Sequence, residues 1–269
     1  MLKISRIDRI SKLRYKHPMD NIFLIFFAGL IAGTMNSAAG GGSFVTLPAL
    51  IFAGMPSVSA NASSTVALFP GSLAGAWAYR SECTAFNGAP LKMMMAVSLL
   101  GGLSGALLLQ LTPTTLFDKA IPWLLATGTV AFAVGPRLGR YISLTSTSQR
   151  RPIVILAAQA VLGVYGGYFG GAVGIIMMAV WSLFGITDIR SMNGVKTLLV
   201  GVTNAAAVFW FAAVGLVWWP QTFIMLTGAI IGGYSGAHFA RRLNPVYLRR
   251  GITVFNILIT ACFCLKSIG

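Results

Sequence analysis

The sequence predicts an all-α polytopic integral membrane protein built from two homologous four-block halves. Three observations predict it: a charge-poor apolar composition, eight helix-length apolar blocks, and an internal repeat at a shift of 132 to 134 residues. Of 269 residues, 56% are hydrophobic and only 9% charged, with a mean hydropathy of +0.79. A soluble domain carries about 25% charged residues, so this chain cannot coat a water-facing surface. That excludes a soluble enzyme, a secreted disulfide scaffold and a disordered tail.

Three short clusters supply +12 of the formal charge of +15. Residues 1–20 hold six basic and two acidic groups; Arg137, Arg140, Arg150 and Arg151 form the second cluster; Arg241, Arg242, Arg249 and Arg250 form the third. Long apolar tracts separate them. This is how loops flanking membrane spans are charged, whereas a nucleic-acid binder gathers its charge on one face of a folded domain. No nucleic-acid partner is expected. Cys83, Cys262 and Cys264 have no metal-ligand spacing and imply no disulfide framework.

A spanning helix needs about 20 mostly apolar residues. The apolar blocks cover 21–54, 58–79, 90–111, 116–136, 152–184, 190–213, 218–238 and 250–267. Six are one crossing long. The first and fifth exceed 30 residues, and glycine breaks each near its middle. The organisation expected is a basic tail (1–20), a first membrane repeat (21–136), a basic linker (137–151) and a second membrane repeat (152–269). The start resembles a signal peptide, but apolar character resumes at once in Phe44–Phe52 and the pattern recurs in the second half. Within the tail, Ile4, Ile7, Ile10 and Leu13 alternate with basic residues, which fits either an interfacial helix on anionic lipid or a solvated tail.

Setting Gly29 on Gly163 places Gly33 on Gly167 and Gly40 on Gly174; further on, Asn61 falls on Asn193 and Thr65 on Thr197. Each Asn-x-x-x-Thr pair opens a helix-length block, and a spacing of four puts both side chains on one helix face. Glycine-interrupted segments at matching positions of two halves mark a transporter's binding site. Here they are Ala38–Ser43 and Gly166–Gly174. Broken backbone survives at membrane depth only when it is buried in protein or lines a wet cavity, and the N–H groups of the resumed half-helix suit an anion. Gly101/Gly105 and Gly228/Gly232/Gly236 instead have the i, i+4 spacing of close helix packing. Consecutive glycines are less well explained that way.

Gly40-Gly41-Gly42-Ser43, then Pro48-Ala49-Leu50, then Ala60-Asn61-Ala62-Ser63-Ser64-Thr65, with a degenerate copy in the second half, resemble the sulfite exporter TauE/SafE family of membrane permeases. The resemblance covers residues 21–267. It implies transport of small sulfur-containing or organic anions, such as sulfite and sulfonates, in the inner membrane of a prokaryotic cell. The second half departs from the pattern: it lacks a second Gly-Gly-Gly and carries Asp188-Ile189-Arg190-Ser191-Met192-Asn193 before its Asn-x-x-x-Thr helix.

Polar groups inside a membrane are functional suspects. The candidate substrate-binding set is Asn36, Gly40, Gly41, Gly42, Ser43, Asn61, Ser64 and Thr65 in the first half, with Gly170, Gly171, Gly174, Asn193, Lys196, Thr197 and Asn204 in the second. Hydroxyls and amides orient an oxyanion. Lys196 has two readings: pairing with a bound anion, or snorkelling to the interface from a helix end. Asn and Ser serve equally well as interhelical glue.

All five acids, Asp8, Asp20, Glu82, Asp118 and Asp188, fall in tails or at block edges. That disfavours a carboxylate proton relay and a carboxylate-lined cation pore. A proton-coupled mechanism would use a protonatable substrate or His238. No nucleophile–base pair, metal set or Walker loop is present, so neither catalysis nor a cofactor is expected. The function expected is a secondary anion transporter that binds a small anionic substrate near the midplane of the lipid bilayer, between the broken helices. A membrane assembly factor or lipid-groove protein is the alternative. A homodimer is compatible with the sequence. The half-segments of the two broken blocks are too short to cross singly, which favours hairpins and inverted repeats, while the basic N-terminal tail favours the opposite orientation.

Overall fold

The computed structural model describes residues 21–38, 41–78, 80–83, 89–145, 152–184, 186, 188–240 and 245–268. The basic tail, Gly40, Arg150, Arg151, Arg241 and Arg242 lie outside them. The described residues form ten α-helices and no strand. The first half contains α1 (Ile22–Ala38), α2 (Ser43–Phe52), α3 (Ser57–Ala78), α4 (Leu91–Leu111) and α5 (Thr114–Thr145). The second contains α6 (Pro152–Tyr168), α7 (Val173–Leu183), α8 (Ile189–Ala213), α9 (Trp219–Ala240) and α10 (Pro245–Ile268).

Each glycine-broken block has become two helices, one of 17 residues and one of 10 or 11. At about 1.5 Å per residue the short member rises only about 15 Å, half a hydrocarbon core. The helices Leu91–Leu111, Thr114–Val134 and Ser191–Ala213 are long and apolar enough to cross a bilayer. Two boundaries differ from the hydropathy blocks: α5 runs on to Thr145, nine residues past its apolar stretch, and α10 starts at Pro245, five residues before its own, so Arg137, Arg140, Arg249 and Arg250 are carried on helix. Arg is a good helix former, so loss of apolar character does not end a helix.

Packing partners exchange when the two halves are exchanged. α1 lies against α9 as α6 lies against α4; α3 meets α9 as α8 meets α4; α3 meets α8, and α5 meets α10. Glycine makes the closest of these contacts. Gly29 and Gly33 of α1 face Met225 and Ala229 of α9, while Gly228 and Gly232 face Phe26 and Leu30. A methyl added at Gly33 would run into the Ala229 carbonyl, and one at Gly232 into that of Leu30. The register rises together in both helices, so α1 and α9 run in the same direction. α4 and α6 do likewise: Gly101 faces Ala160 and Gly163, and Gly105 faces Val164, Gly167 and Tyr168. Such small-residue seams let membrane helices gain dispersion contacts where lipid supplies no hydrophobic drive. α3 and α8 run oppositely, Ser72 meeting Asn204 and Ala76 meeting Gly201.

Large side chains fill the middle: Phe44, Leu47, Leu50, Phe117, Phe132, Phe169 and Phe211 are all but fully buried. Phe23, Phe52, Trp77, Trp123, Phe209 and Tyr234 stand exposed. An apolar exterior of this kind is stable in lipid and not in water.

Candidate functional site

At the first break the chain leaves α1 and re-enters helix at Ser43. Gly41 has φ +91°, the left-handed region where only glycine is free of strain. The Gly42 N–H donates to Asn36 Oδ1 at 3.0 Å, so a side chain from the last turn of α1 caps the start of α2. Ser64 of α3 holds the first turn of α2 through Thr46, Oγ to Oγ1 2.5 Å, and both are buried.

The second break is built differently. Gly170 (φ +74°) and Ala172 (φ +58°) both adopt the left-handed region, and Ala172 is the N-cap of α7. The Phe169 and Gly170 N–H groups both return to the Tyr165 carbonyl, at 2.9 and 3.4 Å, and the Tyr165 hydroxyl donates to the Gly171 carbonyl at 3.1 Å. The final carbonyl of α6, Tyr168, would otherwise be an orphan. Asn61 Nδ2 donates to it at 2.9 Å, from α3 of the other half. Thr65 follows one turn later, its hydroxyl 3.9 Å from where a Gly170 Cβ would stand.

Lys196 serves the same break from α8. Its stem lies across Gly174 on the first turn of α7, with Cγ and Cδ each 3.1 Å from where a Cβ would stand, so a larger residue there would push the stem aside by a few tenths of an ångström. Lys196 Nζ donates to Asn193 Oδ1 at 2.9 Å. A cation and the opening N–H groups of α7 are therefore neighbours, both favourable to negative charge. The shift that sets Asn193 on Asn61 sets Lys196 on Ser64, so the two halves place a cation and a hydroxyl at one equivalent position.

The two breaks converge on α5. A Cβ on Gly128 would meet Phe44 Cζ at 2.6 Å and the Ala172 methyl at 3.2 Å. Of the residues expected from sequence, Asn61, Thr65, Gly170, Gly171, Gly174, Asn193 and Lys196 gather at the second break. Asn36, Gly41, Gly42, Ser43 and Ser64 gather at the first. Thr197 is turned back to the Asn193 carbonyl at 2.7 Å, as Thr65 is to that of Asn61 at 2.9 Å. Asn204 stands apart: eight residues beyond Lys196, about 12 Å along the helix, it donates to Ser72 of α3 at 3.4 Å.

Three polar residues were absent from that set. Tyr165 pins the second break. Gln159, fully buried in α6, donates to Ser98 of α4 at 2.9 Å. Asn256 of α10 is fully buried beside Gly41. Gln159 and Asn256 are each the single amide of an apolar block, a signal the sequence carries. Among the described residues no three His, Cys, Asp or Glu side chains gather as a metal site, and Asp118 and Asp188 are exposed.

A model of the family described as sulfite exporter TauE/SafE matches residues 25–263. A "Probable membrane transporter protein" of Haemophilus influenzae is 27% identical over 246 residues, spanning 90% of this chain and 94% of that protein. "Probable membrane transporter protein YfcA" of Escherichia coli is 29% identical over 251 residues, spanning 91% and 90%. "Probable membrane transporter protein ORF9" of a Sinorhizobium species is 29% identical over 237 residues, spanning 87% and 88%. No solved structure matches.

Proposed function

Because the chain belongs to the sulfite exporter TauE/SafE family, we propose that it is a secondary transporter of small anions, with sulfur-containing oxyanions or sulfonates such as sulfite as its substrate class. It is an integral membrane protein, and its full-length bacterial relatives carry transporter names and not enzyme names, which supports the inner membrane of a prokaryote as its place. The observation that carries the reading is the meeting of Lys196 with the start of α7 at Gly174, inside a bundle whose other break abuts the same α5 glycine. A cation over a half-helix N-terminus favours an anion and repels a cation.

Helix directions support inverted repeats. α8 and α9 are joined by only residues 214–218, a link whose shortness suits two crossings that run in opposite directions. α8 opposes α3, so α9 runs with α3, and α1 runs with α9. The α1–α2 hairpin therefore returns to its starting side. On the other side, α6 runs with α4, and α4 runs with α8, Ser98 and Gly102 meeting Thr203 and Gln110 meeting Trp210, so α4 opposes α3. The long helices α1 and α6 then point opposite ways, and each five-helix half has the odd parity that inversion needs.

Reconstitution in proteoliposomes tests the function. Labelled sulfite, sulfonates and small carboxylates are offered under inward and outward gradients, and saturable flux of at least one anion is the expected result. A protein that is folded and monodisperse yet moves none of them in either direction belongs with the assembly factors or lipid-groove proteins.

A further inference from the structure

Asn256 has an environment that no packing role accounts for. Its side chain is fully buried, and neither Nδ2 nor Oδ1 has a hydrogen-bond partner. Other buried amides of the bundle are put to use: Asn61 on Tyr168, Gln159 on Ser98, Asn204 on Ser72. Among the described residues, Asn256 is the amide with both atoms bare. A bare amide is strongly unfavourable in a bilayer interior, and such a group calls for an explanation.

The side chain is aimed at the first break. Nδ2 lies 4.0 Å from where a Gly41 Cβ would stand; the Phe132 and Phe44 rings border the same point at 4.0 and 3.7 Å. Gly41 has no side chain to come between the amide and the backbone that turns into α2. The ten-residue helix α2 directs its positive end here.

Which atom is oxygen and which nitrogen is immaterial, since both are bare. A ligand that satisfies them offers a lone pair to the NH2 group and a proton to the carbonyl oxygen. A fully deprotonated oxyanion has acceptors only and would set its charged oxygens against Oδ1. A monoanion that keeps one O–H meets both. That proton also needs no carboxylate carrier, and Asp118 and Asp188 are exposed on the bundle's surface.

We propose that Asn256 is a substrate-binding residue at the first break, which selects small monoanions bearing one O–H beside their charged oxygens. The O–H comes either from an acid proton, as in hydrogensulfite, or from a hydroxyl. The inference rests on the anion-transport reading above.

The test uses the full chain in proteoliposomes, with labelled sulfite as substrate and two competitors of equal charge. Hydroxymethanesulfonate carries the hydroxyl; methanesulfonate carries acceptors only. In the native protein, hydroxymethanesulfonate competes about tenfold better, the discrimination expected of a site built to bond a hydroxyl. In Asn256→Leu that preference falls to about twofold or less, and the KM for sulfite at acidic pH rises about tenfold. An effect on hydroxymethanesulfonate alone, or on hydrogensulfite alone, identifies the source of the O–H. The ratio is internal to each variant, so a smaller folded fraction does not move it. Asn256→Thr, which keeps one hydroxyl, carries the same comparison if the leucine variant does not accumulate. Without ligand, Asn256→Leu melts no lower than the native protein, because an apolar group replaces a bare amide. Native-like preference and KM in Asn256→Leu overturn this assignment and leave the transport reading standing. Absence of sulfite flux and of any competitor binding in the native protein overturns both.

Discussion

The two breaks occupy matching positions of the two halves and are built differently. The first is held from within its own half: Asn36 of α1 caps α2 from six residues away, Ser64 of α3 bonds Thr46, Gly41 is left-handed, and these polar groups are neutral. The second is held by others. Asn61 of the opposite half caps its α6 end, Tyr165 ties its loop, and Lys196 brings a charge to its α7 end. At the position where the first half keeps Ser64 on Thr46, the second has lysine over glycine. The two short helices start alike, and the residue at one matching position, Ser64 or Lys196, makes one of the starts cationic. A binding site between the two then has a charged end and a neutral end, which fits an anion with a polar, uncharged part.

The largest effect is expected where the halves differ most. Lys196→Met keeps a stem over Gly174 and removes only the charge. Loss of a charge-assisted contact of about 1.5–3 kcal/mol lowers kcat/KM for anion flux about 10–100-fold. Stability in detergent stays near native, since Asn193 is part-exposed and reaches water when its Nζ partner goes. Initial-rate flux across a substrate series measures it. Flux with unchanged affinity assigns Lys196 to snorkelling and returns the two breaks to equivalence.

Asn61 and Asn193 are equivalent in sequence and unequal in contact, so the same substitution separates them. Asn61→Leu strips the Tyr168 carbonyl of its partner across the halves and costs about 1 kcal/mol, the usual scale for an interhelical bond in a membrane. A lowering of the melting midpoint by about 2–4 °C follows for a chain of this size. Asn193→Leu breaks a bond within its own helix and moves the midpoint by less than half as much. Thermal melts of the two variants side by side are the check; equal losses would mean that Asn61 carries no special cross-half role.

Much of this was readable from the residues. The repeat shift brought together Asn61 with Asn193 and Thr65 with Thr197, and in the structure both threonines turn back to the carbonyl of their asparagine. The glycine runs marked where both short helices start. What hydropathy could not give was which polar residue has a partner: Asn204, Gln159 and Asn256 look alike as amides in apolar blocks. Only three-dimensional neighbours separate the one bonded to Ser72, the one bonded to Ser98 and the one left bare. Nor could spacing reveal that α3 serves the opposite half's break, since the 107 residues between Asn61 and Tyr168 carry no local signal.

The smallest effect probes backbone alone. Gly41 and Ala172 both sit at positive φ, but one is glycine and the other is not. An L-residue in the left-handed region pays about 1–2 kcal/mol, and glycine costs about 0.5–1 kcal/mol in unfolded-state freedom. Ala172→Gly should therefore stabilise by about 0–1 kcal/mol, less the contact its methyl makes near Gly128. Gly41→Ala takes on the strain without that relief. Its nearest atoms lie 3.7–4.0 Å away, so the new methyl meets no clash and the cost is backbone strain of about 1 kcal/mol. Opposite signs in paired melts would show that the second break is the strained one. If Ala172→Gly instead destabilises, the methyl between Gly128 and Phe44 is a packing element, and the strain at that break is outweighed by what it packs.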